Sequence, residues 1–268
     1  MKKRKKKALL TFILIVTLST FYFSPEKENL NLDHISLENW KDTPTSSFRK
    51  DQMRFERVRN AYKTKETYIK KLLISKGFNS FNYDLFLRAF KYEEVLEVWI
   101  KTKNTSEYQL LKTYEFCRNS GSLGPKRMEG DRQIPEGFYR ISHFNPKSNF
   151  LLSLKINYPN VSDVILSDAE SPGSDIYVHG GCQTTGCIPL TNDKIQELYL
   201  LAVGAHEEGK SIPIHIFPTK NFEENLDEDD EIFSFWENIK PGFDFFEKNK
   251  KLPTFKVNSE GEYTFQNL

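Results

Sequence analysis

The 268-residue sequence predicts an α+β fold, mainly antiparallel β-sheet with flanking helices, behind an N-terminal membrane segment. Three observations predict it. Apolar residues recur at helical spacing after Glu56, short β-rich runs take over from Glu94, and the chain starts with a basic cluster followed by an apolar stretch.

Met1 to Lys7 is almost entirely Lys and Arg, and Ala8 to Phe23 is dominated by Leu, Ile, Val and Phe. That is the plan of a signal peptide or signal-anchor over residues 1–24. No small-x-small cleavage triplet precedes Ser24, and Phe21-Tyr22-Phe23 resembles an interfacial aromatic belt, which favours an uncleaved anchor. The positive-inside rule then places the rest of the chain outside the cytoplasm.

Residues 25–55 are polar and contain Pro and Ser, the composition of a linker. Residues 56–93 read as a helical region in which Ile69, Leu72, Leu73 and Phe78 form a packing face. Val95–Ile100 and Tyr108–Phe116 flank the polar turn 103–106 and read as a β-hairpin. Further strands are expected at 137–141, 151–154, 175–179 and 212–217, with a helix over 192–205 between the last two. The aromatic tail after Phe233 is expected to fold back as a C-terminal appendage, residues 219–268, of a main domain over 94–218.

Lys and Arg total 38 against 37 for Asp and Glu, so no general electrostatic pull toward nucleic acid exists. The aromatic residues are scattered, without the pattern of a base-stacking platform. The three cysteines, Cys117, Cys182 and Cys187, cannot all pair within one chain.

Chemistry concentrates in His179-Gly180-Gly181-Cys182-Gln183-Thr184-Thr185-Gly186-Cys187-Ile188-Pro189-Leu190. A strand ends in a histidine, a glycine-rich loop turns, and a cysteine precedes an apolar residue and a proline. Acyl transfer needs a thiolate with a neighbouring base and amide donors aimed at a developing oxyanion. His179 could supply the first and the amides around Gly186 and Cys187 the second, while Gly180 and Gly181 let a substrate approach the backbone.

This loop resembles that of the L,D-transpeptidase (YkuD-type) catalytic domain, particularly its YafK-like branch, which reads approximately H-G-x-C-x-S-x-G-C. An upstream block, Ser120–Lys126 with Gly130-Asp131 and Pro135-Glu136-Gly137-Phe138-Tyr139, is similar to further elements of the same family. The resemblance covers roughly residues 94 to 218. It implies Cys187 as nucleophile, His179 as proton acceptor and donor, and Thr184 in place of the serine that supports the histidine. Thr185 stands where many transpeptidases carry a second histidine, a departure that resembles the YafK-like branch, and Ile134 replaces a threonine before Pro135. Lys126 and Arg118 are candidates for holding a substrate carboxylate, with Gly180, Gly181 and Thr185 beside the substrate. The implied activity is transfer from peptidoglycan stem peptides through a thioester, in the cell envelope, with no cofactor. The runner-up is hydrolysis of a wall-peptide link or of the link to a wall-attached lipoprotein.

Blander readings stand beside these. Cys117 reads as a core thiol, and Cys182 as structural, as a redox partner of Cys187, or as a second active-site thiol. His143, His206 and His215 read as surface or satisfied side chains. His179, Cys182 and Cys187 could in principle bind zinc, but no fourth ligand is evident and no metal is expected. A non-catalytic envelope module that only binds peptide is the remaining alternative.

Overall fold

The periods of the sequence resolve into one eight-stranded sheet between two layers of packing. The computed structural model describes residues 31–42, 46–206, 211–226 and 232–266, and from Leu32 onward the chain forms one compact unit. The expected membrane segment lies outside the described residues, among which no helix is long and apolar enough to cross a membrane.

In chain order the elements are α1 (Ser47–Gln52), α2 (Glu56–Ser75), β1 (Tyr83–Phe90), β2 (Val95–Thr102), β3 (Gln109–Glu115), β4 (Gly137–Asn145), β5 (Ser153–Ile156) and α3 (Val161–Leu166). They continue as β6 (Tyr177–Gly180), β7 (Ile188–Leu190), α4 (Asn192–Ala205), β8 (Ile212–Phe217), α5 (Phe222–Asn225), α6 (Phe233–Asn249), β9 (Thr254–Val257) and β10 (Tyr263–Gln266). The large sheet runs β3-β2-β1-β8-β4-β5-β6-β7, and β9 and β10 form a separate hairpin. Pairing is antiparallel except between β1 and β8 and between β6 and β7.

The hairpin expected from Val95 is β2 with β3, and α4 and β8 form where the pattern placed them. The expectation of helix through residue 93 is corrected, because α2 stops at Ser75 and Tyr83–Phe90 is a central strand. Both faces of β1 are covered, so it reads as a nearly continuous apolar run without the alternation of a half-exposed strand. Tyr83 on one face donates its hydroxyl to the Leu201 carbonyl of α4, while Phe86 on the other meets Phe246 of α6. The sheet therefore takes its central strand from a segment read in the sequence as helical.

The supposed linker also contributes structure. Its residues 46–55 include α1, where Phe48 packs edge-on against Phe144 and Gln52 accepts a hydrogen bond from the Tyr199 hydroxyl at 2.6 Å. The C-terminal appendage does fold back. Trp236, Ile239 and Phe243 of α6, with Tyr263 of β10, bury against Phe90, Phe138 and Phe217 of the sheet. Each such buried side chain contributes on the order of 2 kcal/mol.

A buried ion pair fixes the segment that leads into β4. Lys91 and Glu136 are 1 % and 0 % exposed and meet at 2.9 Å. Lys91 Nζ also donates to the carbonyls of Gly124 and Ile134, and Glu136 accepts from the Gly124 amide and the Trp236 indole. Residues 124–136 are thereby anchored to the sheet on one side and to α6 on the other.

Candidate active site

Register brings the motif together. Antiparallel β5 holds β6 with Ser153 opposite His179, and β7 lies parallel to β6 with His179 opposite Pro189 and Val178 opposite Ile188. Cys187 immediately precedes β7, two residues before the Pro189 that pairs with His179. An electrostatic contact between Tyr177 and Cys187 agrees with this placement.

His179 is buried, with Nδ1 at 2.8 Å from the Gly180 carbonyl. A carbonyl only accepts, so Nδ1 carries the proton and the Nε2 lone pair is open. Phe150 stacks on the imidazole with ring centroids 4.5 Å apart. Burial holds the His179 pKa below its ordinary value, partly opposed by the Gly180 hydrogen bond. The ring is therefore a neutral base at neutral pH.

Cys187 is half-buried and its thiol donates to the Asp175 carbonyl at 3.7 Å. Burial pushes this thiol up. A Tyr177 backbone hydrogen bond and the charge of Lys126 pull the other way, and the charge of Asp175 adds to the rise. Among the described residues no hydrogen bond joins Sγ to the imidazole, so the resting pair is thiol and neutral imidazole, not an ion pair. Such contacts commonly tighten only when substrate is bound.

Thr184 does not support the histidine as the resemblance implied. Its hydroxyl donates to the Cys187 carbonyl at 2.8 Å and accepts from the amides of Cys187, at 2.9 Å, and Gly186, at 3.3 Å. A short hydroxylated side chain beside a turn competes well for nearby backbone groups, and here it shapes the nucleophile turn. The Gly186 and Cys187 amides, expected as oxyanion donors, are engaged by that hydroxyl. Gly186 sits at φ +131°, and a Cβ there would approach the Gln133 carbonyl to 2.9 Å, so only glycine fits.

Lys126 is not a free substrate contact. It is 4 % exposed, and its Nζ is taken by Asp131 at 2.6 Å and the Met128 carbonyl at 2.7 Å. The opposite charge five residues along the same loop claims it. Arg118 and Thr185, by contrast, are exposed and border a cleft of about 480 Å³ together with Ser120, Arg132, Gln183 and Thr184. Gly180 ends β6, and Gly181 begins the turn at φ +77°.

Cys117 and Cys182 form a disulfide with Cα atoms 5.4 Å apart, joining the end of β3 to the loop between β6 and β7. Cys117 is thus not a core thiol, and Cys182 is neither a partner of Cys187 nor a zinc ligand. Cys187 remains as the free cysteine. Sequence reasoning also missed Phe150, the Asp175 carbonyl and Arg132. Arg132 lay beside Asp131 in a block already singled out, whereas Phe150 and Asp175 reach the site only through strand pairing.

Comparison with known proteins identifies the family. A profile of the L,D-transpeptidase catalytic domain (YkuD) matches residues 93–216. The protein named "Putative L,D-transpeptidase YafK" in Escherichia coli K12 is 34% identical over 178 residues, covering 65% of this chain and 70% of that one, and its O157:H7 counterpart matches equally. The solved structure of Pgp2 (K307A mutant), a helical cell shape determining protein of Campylobacter jejuni, aligns with a TM-score of 0.42 and 18% identity over 57% of this chain and 55% of that one. Bd1075 of Bdellovibrio bacteriovorus aligns with a TM-score of 0.38 and 22% identity over 62% and 56%.

Proposed function

Because the chain belongs to the L,D-transpeptidase family, we propose that it is an extracytoplasmic cysteine acyltransferase acting on peptidoglycan stem peptides through a thioester on Cys187. The observation that supports this reading is the β6–β7 pairing, which brings His179 opposite Pro189, two residues after Cys187, with His179 Nδ1 at 2.8 Å from the Gly180 carbonyl.

In the proposed cycle the thiol proton passes to His179 Nε2 as Sγ attacks the carbonyl on the L-centre of the third stem residue. Collapse of the tetrahedral intermediate breaks the C–N bond, and the departing amine of the D-residue takes the proton back from Nε2. An acceptor amine then attacks the thioester and gives a proton to His179, and as the C–S bond breaks the departing sulfur takes that proton from Nε2, restoring the Cys187 thiol and the neutral imidazole. The Nδ1–H bond to the Gly180 carbonyl keeps the ring in one tautomer through both halves. Thr184 holds the turn, Gly181 leaves room beside it, and Arg118 and Thr185 border the cleft the substrate would occupy, whereas Gly180 is buried and its lack of a side chain makes room for Phe150, Ile195 and Asn192.

Export is part of the proposal. The basic-then-apolar start would anchor the chain in the inner membrane through residues 8–23, and the Cys117–Cys182 disulfide suits an oxidising compartment. A second reading, with water as acceptor, is favoured by Thr185, which leaves an exposed hydroxyl where many relatives carry a histidine. The enzyme would then cut wall-peptide links or the link to a wall-attached lipoprotein.

Intact-mass measurement of the protein with a stem tetrapeptide tests both. A thioester adduct lost in Cys187→Ala supports the class, and products formed with and without an amine acceptor separate transfer from hydrolysis. Absence of any adduct would defeat both readings, and full biological effect from Cys187→Ala would favour a binding module.

A further inference from the structure

We propose that Arg118 and Arg132 together form a carboxylate subsite for the peptide substrate, next to the nucleophile turn. This deepens the acyltransferase reading and rests on it. Both side chains are exposed and border the cleft of about 480 Å³, whose lining contains no Asp or Glu. Among the described residues neither guanidinium has an ion pair or a hydrogen bond, whereas Lys126 of the neighbouring loop is held by Asp131.

The one acidic neighbour that could neutralise Arg132 is already used. Asp131 accepts from Lys126 Nζ and from the amides of Arg127, Met128 and Gln133, and these bonds hold its pKa below the ordinary carboxylate value although burial alone would raise it. Arg132 itself sits at φ +61°, a left-handed conformation that costs energy in a residue bearing a Cβ. Gln133 locks the next position through Ser122. The chain thus spends backbone strain to present a charge that no side chain of its own satisfies.

A third polar group in the cleft wall is unpaired. Ser120 has a buried Oγ without a hydrogen-bond partner among the described residues. Two guanidiniums bordering one cleft offer the donors that a planar carboxylate accepts in bidentate fashion.

The cleft adjoins the chemistry. Thr184 lines it and accepts the Cys187 amide, and the Gln133 carbonyl packs against Gly186. Arg118 follows Cys117, whose disulfide to Cys182 joins the two walls. The C-terminal carboxylate of a stem peptide's fourth residue, and a side-chain carboxylate on the third where that residue bears one, are the two tested as the ligand of the subsite.

The test uses the full chain in the Cys187→Ala background, so that binding is read without turnover. Dissociation constants are measured for a tetrapeptide, its C-terminal carboxamide, and a version whose third residue lacks the side-chain carboxylate. These are repeated in Arg118→Gln, Arg132→Gln and the double variant, with thermal melts to check folding and Arg132→Gly as a strain-relieving alternative.

The expected result is that one peptide change weakens binding about ten-fold in the parent and has no further effect in the double variant, with the dependence reduced at high salt. Whichever change does so names the carboxylate. Equal binding of all three peptides by the parent, or an unchanged penalty in the double variant, overturns the subsite. Absence of a thioester on native Cys187 would instead defeat the acyltransferase reading, and the binding comparison would still decide the subsite.

Discussion

Glu136→Ala is the substitution whose cost can be worked most fully from the structure. Glu136 is fully buried, and its two oxygens receive Lys91 Nζ at 2.9 Å, the Gly124 amide at 2.8 Å and the Trp236 indole at 2.7 Å. Alanine leaves Lys91 buried without a counter-charge and strands two N–H donors. Breaking one side of a buried ion pair costs about 3–5 kcal/mol, and each stranded donor about 1–3 kcal/mol. Lys91 relieves part of this by releasing its proton, because burial already holds its pKa below the ordinary lysine value. A net loss of about 4 kcal/mol follows, or roughly 8–16 °C in Tm for a domain of this size.

The loss should shrink as pH rises. An unfolded lysine holds its proton to higher pH than buried Lys91 does, so stability of the variant climbs with pH over that window. Glu136→Gln keeps the shape and an acceptor while removing the charge, and should lose less than alanine. Thermal melts of the three proteins at pH 7 and pH 9.5 supply the comparison. A Glu136→Ala protein within about 1 kcal/mol of the parent would refute the reasoning, since that is no more than an exposed pair contributes.

Cys117→Ser should lower stability by about 2–4 kcal/mol, the usual effect of opening a disulfide of this span. Adding reductant to the parent should reproduce the loss and change nothing further in the variant, as followed by calorimetry. His215 lies buried against Phe86 and Phe138, and burial, aided by the charge of Arg88, pushes its pKa down to about 3. The unfolded chain then binds the proton first, so stability falls as pH drops from about 6.5 toward 3. Asp163 works in the opposite direction, because burial raises its carboxyl to about 6. The His215→Leu protein should therefore lose the acid-side decline relative to the parent in melts between pH 4 and 7. Thr184→Val removes three bonds to the nucleophile turn and should slow acylation about ten-fold or more while melting stays near the parent, with Thr184→Ser restoring the rate.

What the sequence disclosed depended on how local the cause was. Helix α4 was legible because Asp193 stands near its start and Gly204 near its end, although its burial on nearly all sides leaves no single apolar stripe. β1 was not legible as a strand, since a strand covered on both faces shows no alternation. β7 escaped because Ile188-Pro189-Leu190 is three residues long and takes its strand character from pairing with β6. In the site, His179 and Cys187 were visible because a base, a thiol and glycines within nine positions have few structural uses. The partners of Thr184 and Lys126 were not, because which backbone or carboxylate a side chain meets is decided by turn geometry. Cysteine count fixed only that one thiol is left over, and the fold decided that it is Cys187.

The central claim is that sulfur and imidazole act as one unit, and single-turnover thioester formation against pH tests it most directly. The parent should retain acylation to below pH 6.5, because buried His179 stays neutral there. In His179→Gln the rate at pH 7 should fall at least about 100-fold and recover only at alkaline pH, following the raised Cys187 thiol. A His179→Gln protein that acylates within a few-fold of the parent at pH 7 would contradict the account.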